Sequence, residues 1–434
     1  MKINIHKSLD YKFLKFDFEK VLNLPIRNFF IVVFAFMYCV WGTSWSAPIV
    51  NTPYSILWVG ATLLAILLFN KDKLPLKEIL ILGMIAFSFF FFFVIGLEKN
   101  LSSENPSDFY YTLTFLIKIL LGILLVLAFN NIIRNNKDII TFFISSCAFI
   151  SLIIFYLGWK YLIVYDLDYI GVIVDDSLRG LKAYKNSLAT SVALITPFIY
   201  AGIFVKNKFR VLFFVALASI LFLLFWINSR SAIIIVGFEF LIFYLVSKSK
   251  EARKYTRNSI LLVLSLLLIS GISFSDWLYK NDAFSDSGLL LAPDTENLLE
   301  SHRGWLLLEA LEGYVDSNLL GHGLGTFRIR DSNQGSRTDT HNDYSLLLYE
   351  QGTIGFLLIL YLIFWRIRSN LIASKKSKDL FLEASTASLF GLLIAPVFIN
   401  IMQTFIFWSI LSLSFVIVGI QTKLNTKKEN RQMT

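Results

Sequence analysis

Twelve separate apolar runs, each close in length to a lipid hydrocarbon core, constrain this chain more than any other feature. They fall near residues 28–48, 54–70, 78–97, 109–130, 139–159, 187–205, 210–228, 231–247, 259–275, 344–365, 384–401 and 404–420. A helix of about 17 to 25 predominantly apolar residues is long enough to cross a bilayer. The runs therefore predict an all-α polytopic membrane protein of about 12 transmembrane helices. Composition points the same way. The 434 residues are 56% hydrophobic and 16% charged, with 42 Phe and a mean hydropathy of +0.64, far from the balance of a soluble domain.

Lys and Arg are retained on the cytoplasmic side of short loops, so their distribution orients the chain. With the N-terminus inside, the inner segments (1–27, 71–78, 131–138, 206–210, 248–258, 366–379 and 421–434) hold 28 of the 40 Lys and Arg. Acids gather on the other side, including Glu98, Glu104, Asp166, Asp168, Asp175, Asp176 and a run from Asp276 to Asp343. Both termini are expected to be cytoplasmic. The division is then a cytoplasmic segment 1–27, one transmembrane domain 28–420 with a large periplasmic loop 276–343, and a cytoplasmic tail 421–434. The segment before Arg27 is basic like the start of a signal peptide, but the apolar stretch after it is too long and lacks a small-residue cleavage site. It is expected to be retained, and Leu9, Phe13, Phe16 and Val21 would let part of it lie along the inner membrane surface. The formal charge of +9 reads as topology and attraction to anionic lipid; nucleic-acid binding has no support. Cys39 and Cys147 both sit in predicted spans, so neither a disulfide nor a cysteine metal site is expected.

Chemistry-bearing residues concentrate on the outer side. Arg230 follows Asn228-Ser229 at the outer turn between two spans, where an arginine is either an interfacial anchor or a cation facing water. Arg303 opens an amphipathic helix over Leu299–Val315 in the large loop, and a surface pair with Glu300 is its plain explanation. His341, one of four histidines, stands just before the tenth span. It is either a hydrogen-bonded interfacial side chain or a base poised near neutral pH, with Asp339 or Asp343 to hold its tautomer. Gly321-His322-Gly323-Leu324-Gly325 reads as a tight turn closing the loop, with backbone N–H groups facing an anion as the lesser alternative. It lacks the strand and helix that a nucleotide fingerprint requires. Asp166 and Asp168 have a spacing that would suit a divalent ion, although such pairs arise often by chance. Glu350, two turns into the tenth span, and the deeper Lys118 and Glu239 are buried ionisable groups. The last two would make an obvious helix-to-helix pair.

Asn228-Ser229-Arg230-Ser231, then Arg303-Gly304-Trp305 with Gly321-x-Gly-x-Gly-x-Phe327, then His341-Asn342-x-Tyr344 with Glu350-x-Gly352-x-x-Gly355, resembles the O-antigen ligase and polymerase superfamily in order and spacing, over about 160–400. The resemblance implies a C-type membrane glycosyltransferase in the inner membrane, moving a glycan from undecaprenyl diphosphate at the periplasmic face. It implies that Arg230 and Arg303 bind the diphosphate and that His341 stands next to the acceptor hydroxyl. Arg179 occupies the place of a further basic residue, and Asn342 and Glu350 are supporting. Neither a cofactor nor a metal is implied, and residues 49–53 lack the carboxylate that many metal-dependent C-type enzymes place in the first outer loop. The partners implied are the lipid-linked glycan, a lipid A-core acceptor and membrane lipids. The ligase branch, the polymerase branch, in which the acceptor is another lipid-linked repeat, and a transporter or flippase of the same lipid remain open.

Overall fold

The computed structural model describes residues 23–40, 53–69, 74–103, 106–159, 185–205, 208–227, 229–261, 302–330, 340 and 342–433. Among them the chain is helical, with no strand. The helices are α1 (Asn23–Cys39), α2 (Pro53–Phe69), α3 (Leu76–Ser102), α4 (Pro106–Ile132), α5 (Asn136–Gly158), α6 (Lys185–Phe204), α7 (Arg210–Ile227), α8 (Arg230–Val246), α9 (His302–Asp316), α10 (Thr326–Arg330), α11 (Asp343–Lys376), α12 (Leu380–Ile394) and α13 (Phe405–Met433), with residues 250–261 also helical. Eleven of the twelve apolar runs fall wholly or partly on these helices, while residues 41–48 of the first run and almost all of the ninth, 259–275, lie outside the described residues. Seven helices are long and apolar enough to cross a membrane, and four more are apolar but shorter.

The packing is that of a bundle facing an apolar solvent. Central α6, α12 and α13 are largely buried, and α12 carries the buried run Ala384-Ser385-Thr386-Ala387-Ser388, whose small side chains let neighbouring backbones approach. The outer helices turn large apolar groups outward: α3 exposes Ile79, Leu80, Met84, Phe87, Phe90, Phe91, Val94 and Ile95. A stripe of this size in water is an aggregation hazard; against lipid tails it is the ordinary surface.

Two boundaries differ from the sequence expectation for clear reasons. The run at 384–401 stops being α-helix at Ile394, because Pro396 has no N–H to continue the ladder, and a 3-10 turn, Ala395–Val397, follows. The tenth run does not end at 365. α11 continues to Lys376, and Arg366, expected to open an inner loop, is buried inside the bundle. Its Nη1 donates to Glu78 Oε1 at 3.3 Å, its Nη2 to the Ser414 carbonyl at 2.9 Å, and its guanidinium lies 3.9 Å from the centre of the Phe415 ring.

Long-range bonds sort the helix ends into two sets. At one end, Arg27 at the start of α1 pairs with Asp138 at the start of α5, and Arg134 reaches the Phe69 carbonyl at the close of α2. Also at this end, the Lys248 amide beyond α8 donates to Glu383 on α12, and the Lys248 ammonium caps the Ser374 and Lys375 carbonyls closing α11. At the other end, the close of α3, the start of α4, residues 317–326, the start of α11 and the turn 395–404 meet. The helices therefore alternate direction through the bundle.

Arg366 is buried and Glu78 partly so, and taking away one member of such a pair strands the other, at a cost below the roughly 3–5 kcal/mol of a fully buried pair. Arg366→Met is expected to lower the thermal midpoint of the detergent-solubilised protein, and adding Glu78→Gln to recover part of the loss. An Arg366→Met protein as stable as the parent would show that the pair contributes nothing.

Candidate functional site

The second end of the bundle is organised by a glycine strap. After α9 the chain turns through Asn318 and Leu319, both in the left-handed region, into Gly321–Gly325, which wedges between α3 and a break in α11. At the break Gly352 has φ 61° and ψ −161°, a conformation that side-chain-bearing residues rarely adopt. The contacts are backbone against backbone. A Cβ added at Gly96 would lie 2.6 Å from the Leu324 carbonyl oxygen, one at Gly321 2.5 Å from the Gly352 nitrogen, and one at Gly323 would collide with the Gly96 backbone.

The strap's N–H groups are all committed. Gly321 donates to Ser317 Oγ at 2.9 Å. His322 donates to the Tyr349 carbonyl at 2.9 Å, Gly323 to the Glu350 carbonyl at 2.9 Å and Leu324 to the Phe92 carbonyl at 2.8 Å. Gly325 donates to the Glu350 carboxylate at 2.9 Å. An anion cradle, the lesser alternative from the sequence, is thereby overturned, because a phosphate would have to break these bonds. Glu350 lies about two turns into α11, where the sequence put it, and just before the break at Gly352. It is buried at the end of the first segment of α11 and holds the strap through both its carboxylate and its carbonyl. His322, unremarked as a side chain in the sequence, makes a 2.8 Å bond from Nε2 to the Gly313 carbonyl and packs 4.7 Å from the Tyr349 ring.

Two residues with no sequence signal complete the strap. Asn100 Nδ2 donates to the Gly96 and Leu324 carbonyls at 2.8 and 2.9 Å, and Thr112 Oγ1 donates to Asn100 Oδ1 at 2.8 Å. Just beyond, Arg328 lays its guanidinium 4.1 Å from the centre of the Tyr111 ring, a described cation at this end that spacing alone did not mark.

The strap sets the register of α9 along α11. Tyr314 Oη meets Thr353 Oγ1 at 2.8 Å, while Leu306, Ala310, Phe327, Leu346 and Tyr349 share one buried cluster. The two segments therefore run in the same direction, and the start of α9, with Arg303, stands at the level of the start of α11. There Asn342 caps the helix, its Oδ1 accepting from the Tyr344 and Ser345 amides at 2.9 and 3.1 Å. Asp343 Oδ2 accepts from the Ile401 and Met402 amides at 2.6 and 2.9 Å, which ties α11 to the turn after α12. Tyr344 Oη adds a 2.6 Å bond to the Leu393 carbonyl.

α8 runs antiparallel to α12, with the Lys248 amide on Glu383 at one end and Glu239 against Gly391 farther along. The same register carries the start of α8, where Arg230 begins the helix, to the level of Ala395–Val397. Backbones of Arg230, Arg303 and Asn342 are thus gathered at one end, around the turn that Asp343 holds. His341, Arg179, Asp166, Asp168, Glu300, Asp339 and residues 49–52 lie outside the described residues. Glu239 is fully buried and neither carboxylate oxygen has a hydrogen-bond partner among the described residues, so the pair suggested with Lys118 is not formed.

Strained backbone and a blocked Cβ each cost on the order of 1–3 kcal/mol. Gly323→Ala and Gly352→Ala are expected to lower the thermal midpoint clearly. Gly60→Ala and Gly83→Ala, where nothing stands within 4 Å of the added carbon, should be nearly silent. Glu350→Ala should destabilise more than Glu350→Gln, which keeps an acceptor for Gly325. Equal effects of all four glycine changes would remove the strap from its organising role.

The sequence matches no protein-family model, and no curated protein is significantly similar to it.

Proposed function

We propose that this protein is a membrane glycosyltransferase that moves a glycan from undecaprenyl diphosphate onto the core sugars of lipid A, with its site at the periplasmic end of the bundle. The observation that supports this most is the register just described. The starts of α8, α9 and α11, which carry Arg230, Arg303 and Asn342, share one end of the bundle, although these residues are widely separated in sequence. The motif resemblance supplies the roles.

The chemistry asks for little more. A diphosphate is already a stable leaving anion, so its departure needs charge neutralisation rather than a general acid. Planar guanidinium forks at Arg230 and Arg303 suit its oxygens. The acceptor hydroxyl attacks the anomeric carbon from the face opposite the leaving group. As the new C–O bond forms, the hydroxyl proton passes to the imidazole of His341 and the bond to the phosphate oxygen breaks with its electron pair, inverting the anomeric centre. Glu350 and Asn342 serve by position, the first through the strap and the second by starting α11 next to His341.

Three measurements test this reading. Reporter fusions at 206–210, 248–258 and 366–379 are expected to read cytoplasmic and those within 276–340 periplasmic; a cytoplasmic signal from the latter would put Arg303 and His341 on the wrong side. In a deletion strain, polymerised glycan should accumulate on undecaprenyl diphosphate, whereas single repeats on the lipid A core would indicate a polymerase. With purified protein, Arg230→Lys and Arg303→Lys should each lose most transfer, because lysine keeps charge but not the fork. His341→Ala should lose about 10²- to 10⁴-fold in turnover while donor binding survives. Normal turnover by folded His341→Ala protein would exclude the base.

A further inference from the structure

At the end of the bundle opposite the strap, a cavity of about 540 Å³ opens between the α4–α5 turn and α13, lined by Arg134, Asn135, Asn136, Lys137, Ile420, Lys423 and Leu424. Three of these are cations and none is an acid. The nearby carboxylate, Asp138, is engaged elsewhere: Oδ1 accepts from Arg27 Nη2 at 3.0 Å and Oδ2 from the Arg134 amide at 2.8 Å. The Arg134 guanidinium is held in plane by bonds from Nε to the Asn131 carbonyl at 2.9 Å and from Nη2 to the Phe69 carbonyl at 3.3 Å, so this cation is preorganised. Asn136 adds a buried Oδ1 with no hydrogen-bond partner, an acceptor suited to a hydroxyl or ammonium group. Ile420 and Leu424 give the cavity an apolar side.

The position narrows the ligand class. The cavity sits between the last residue of one membrane-length helix, Ile132, and the first of the next, Asn136, which is the depth of a headgroup. A bound guanidinium, two exposed lysines, an acceptor and an apolar wall match a phosphodiester carrying a hydroxylated headgroup and an acyl chain. Free phosphate shares only the first part of that chemistry.

We infer that this cavity binds the headgroup of an anionic phospholipid of the surrounding membrane. The inference rests on the membrane reading of the chain and not on the transferase chemistry.

The test uses the full-length protein, purified and delipidated in a neutral detergent, and native mass spectrometry with phosphatidylglycerol, phosphatidylcholine of the same acyl chains, or inorganic phosphate. Phosphatidylglycerol is expected to bind at least tenfold more tightly than phosphatidylcholine. The Lys137→Gln/Lys423→Gln protein, altered only at exposed positions, should bind phosphatidylglycerol about 30-fold more weakly, at roughly a factor of five for each cation at a lipid surface. Removing two exposed lysines at the same end, Lys250→Gln/Lys254→Gln, should change little. Equal binding of the two lipids, an equal loss in the control pair, or full displacement by millimolar inorganic phosphate would each overturn the assignment. A chain that stays monodisperse without detergent and fails to enter nanodiscs would instead remove the membrane reading, and the lipid site with it.

Discussion

The arrangement of one whole end of this bundle depends on backbone meeting backbone at Gly96, Gly323 and Gly352. No side chain can stand at these contacts, so the strap approaches close enough for its N–H groups to be satisfied by carbonyls of α3 and α11. That approach opens α11 at Gly352, and the opening frees the Tyr349 and Glu350 carbonyls for the strap. The register of α9 follows, and with it the level at which that helix begins along α11. Packing and the candidate site are therefore one construction, held by hydrogen bonds in which every donor of Gly321–Gly325 has a partner.

Much of the helix layout was legible from the apolar runs, because a membrane-length stretch has few alternatives. What escaped was local or tertiary. The end of α12 at Pro396 was readable in principle, since proline is a known terminator, but the surrounding residues are as apolar as the helix. Arg366 looked like a loop cation because its charge is visible in the sequence and its partners, Glu78 and Ser414, are not. The Gly352 break lay within the Glu-x-Gly-x-x-Gly pattern, yet only the strap pressed against it explains why the glycine is needed.

Part of the candidate site was legible as a set of positions sharing one end, since alternation of helices brings the starts of α8, α9 and α11, with the backbones of Arg230, Arg303 and Asn342, to that end. Their relative heights were not, because these depend on the Tyr314–Thr353 bond and on the grip of Asp343 on residues 401 and 402. Asn342 and Glu350, expected in supporting places, hold backbone: one starts α11 and the other fastens the strap. Glu239 illustrates the converse, a conspicuous buried charge whose supposed partner does not reach it.

α3 has a consequence for how the chain is made. It is fastened near its first turn by Glu78 to Arg366, 288 residues later, and near its last by Asn100 to the Leu324 carbonyl, 224 residues later. Both fasteners belong to segments that are synthesised long after α3. Until then the third helix has a carboxylate near its first turn and an amide near its last, neither yet in its final company. The two ends of α3 therefore reach their final partners only when α11 and the strap are made, and a chain ending before residue 324 would leave both ends unfastened.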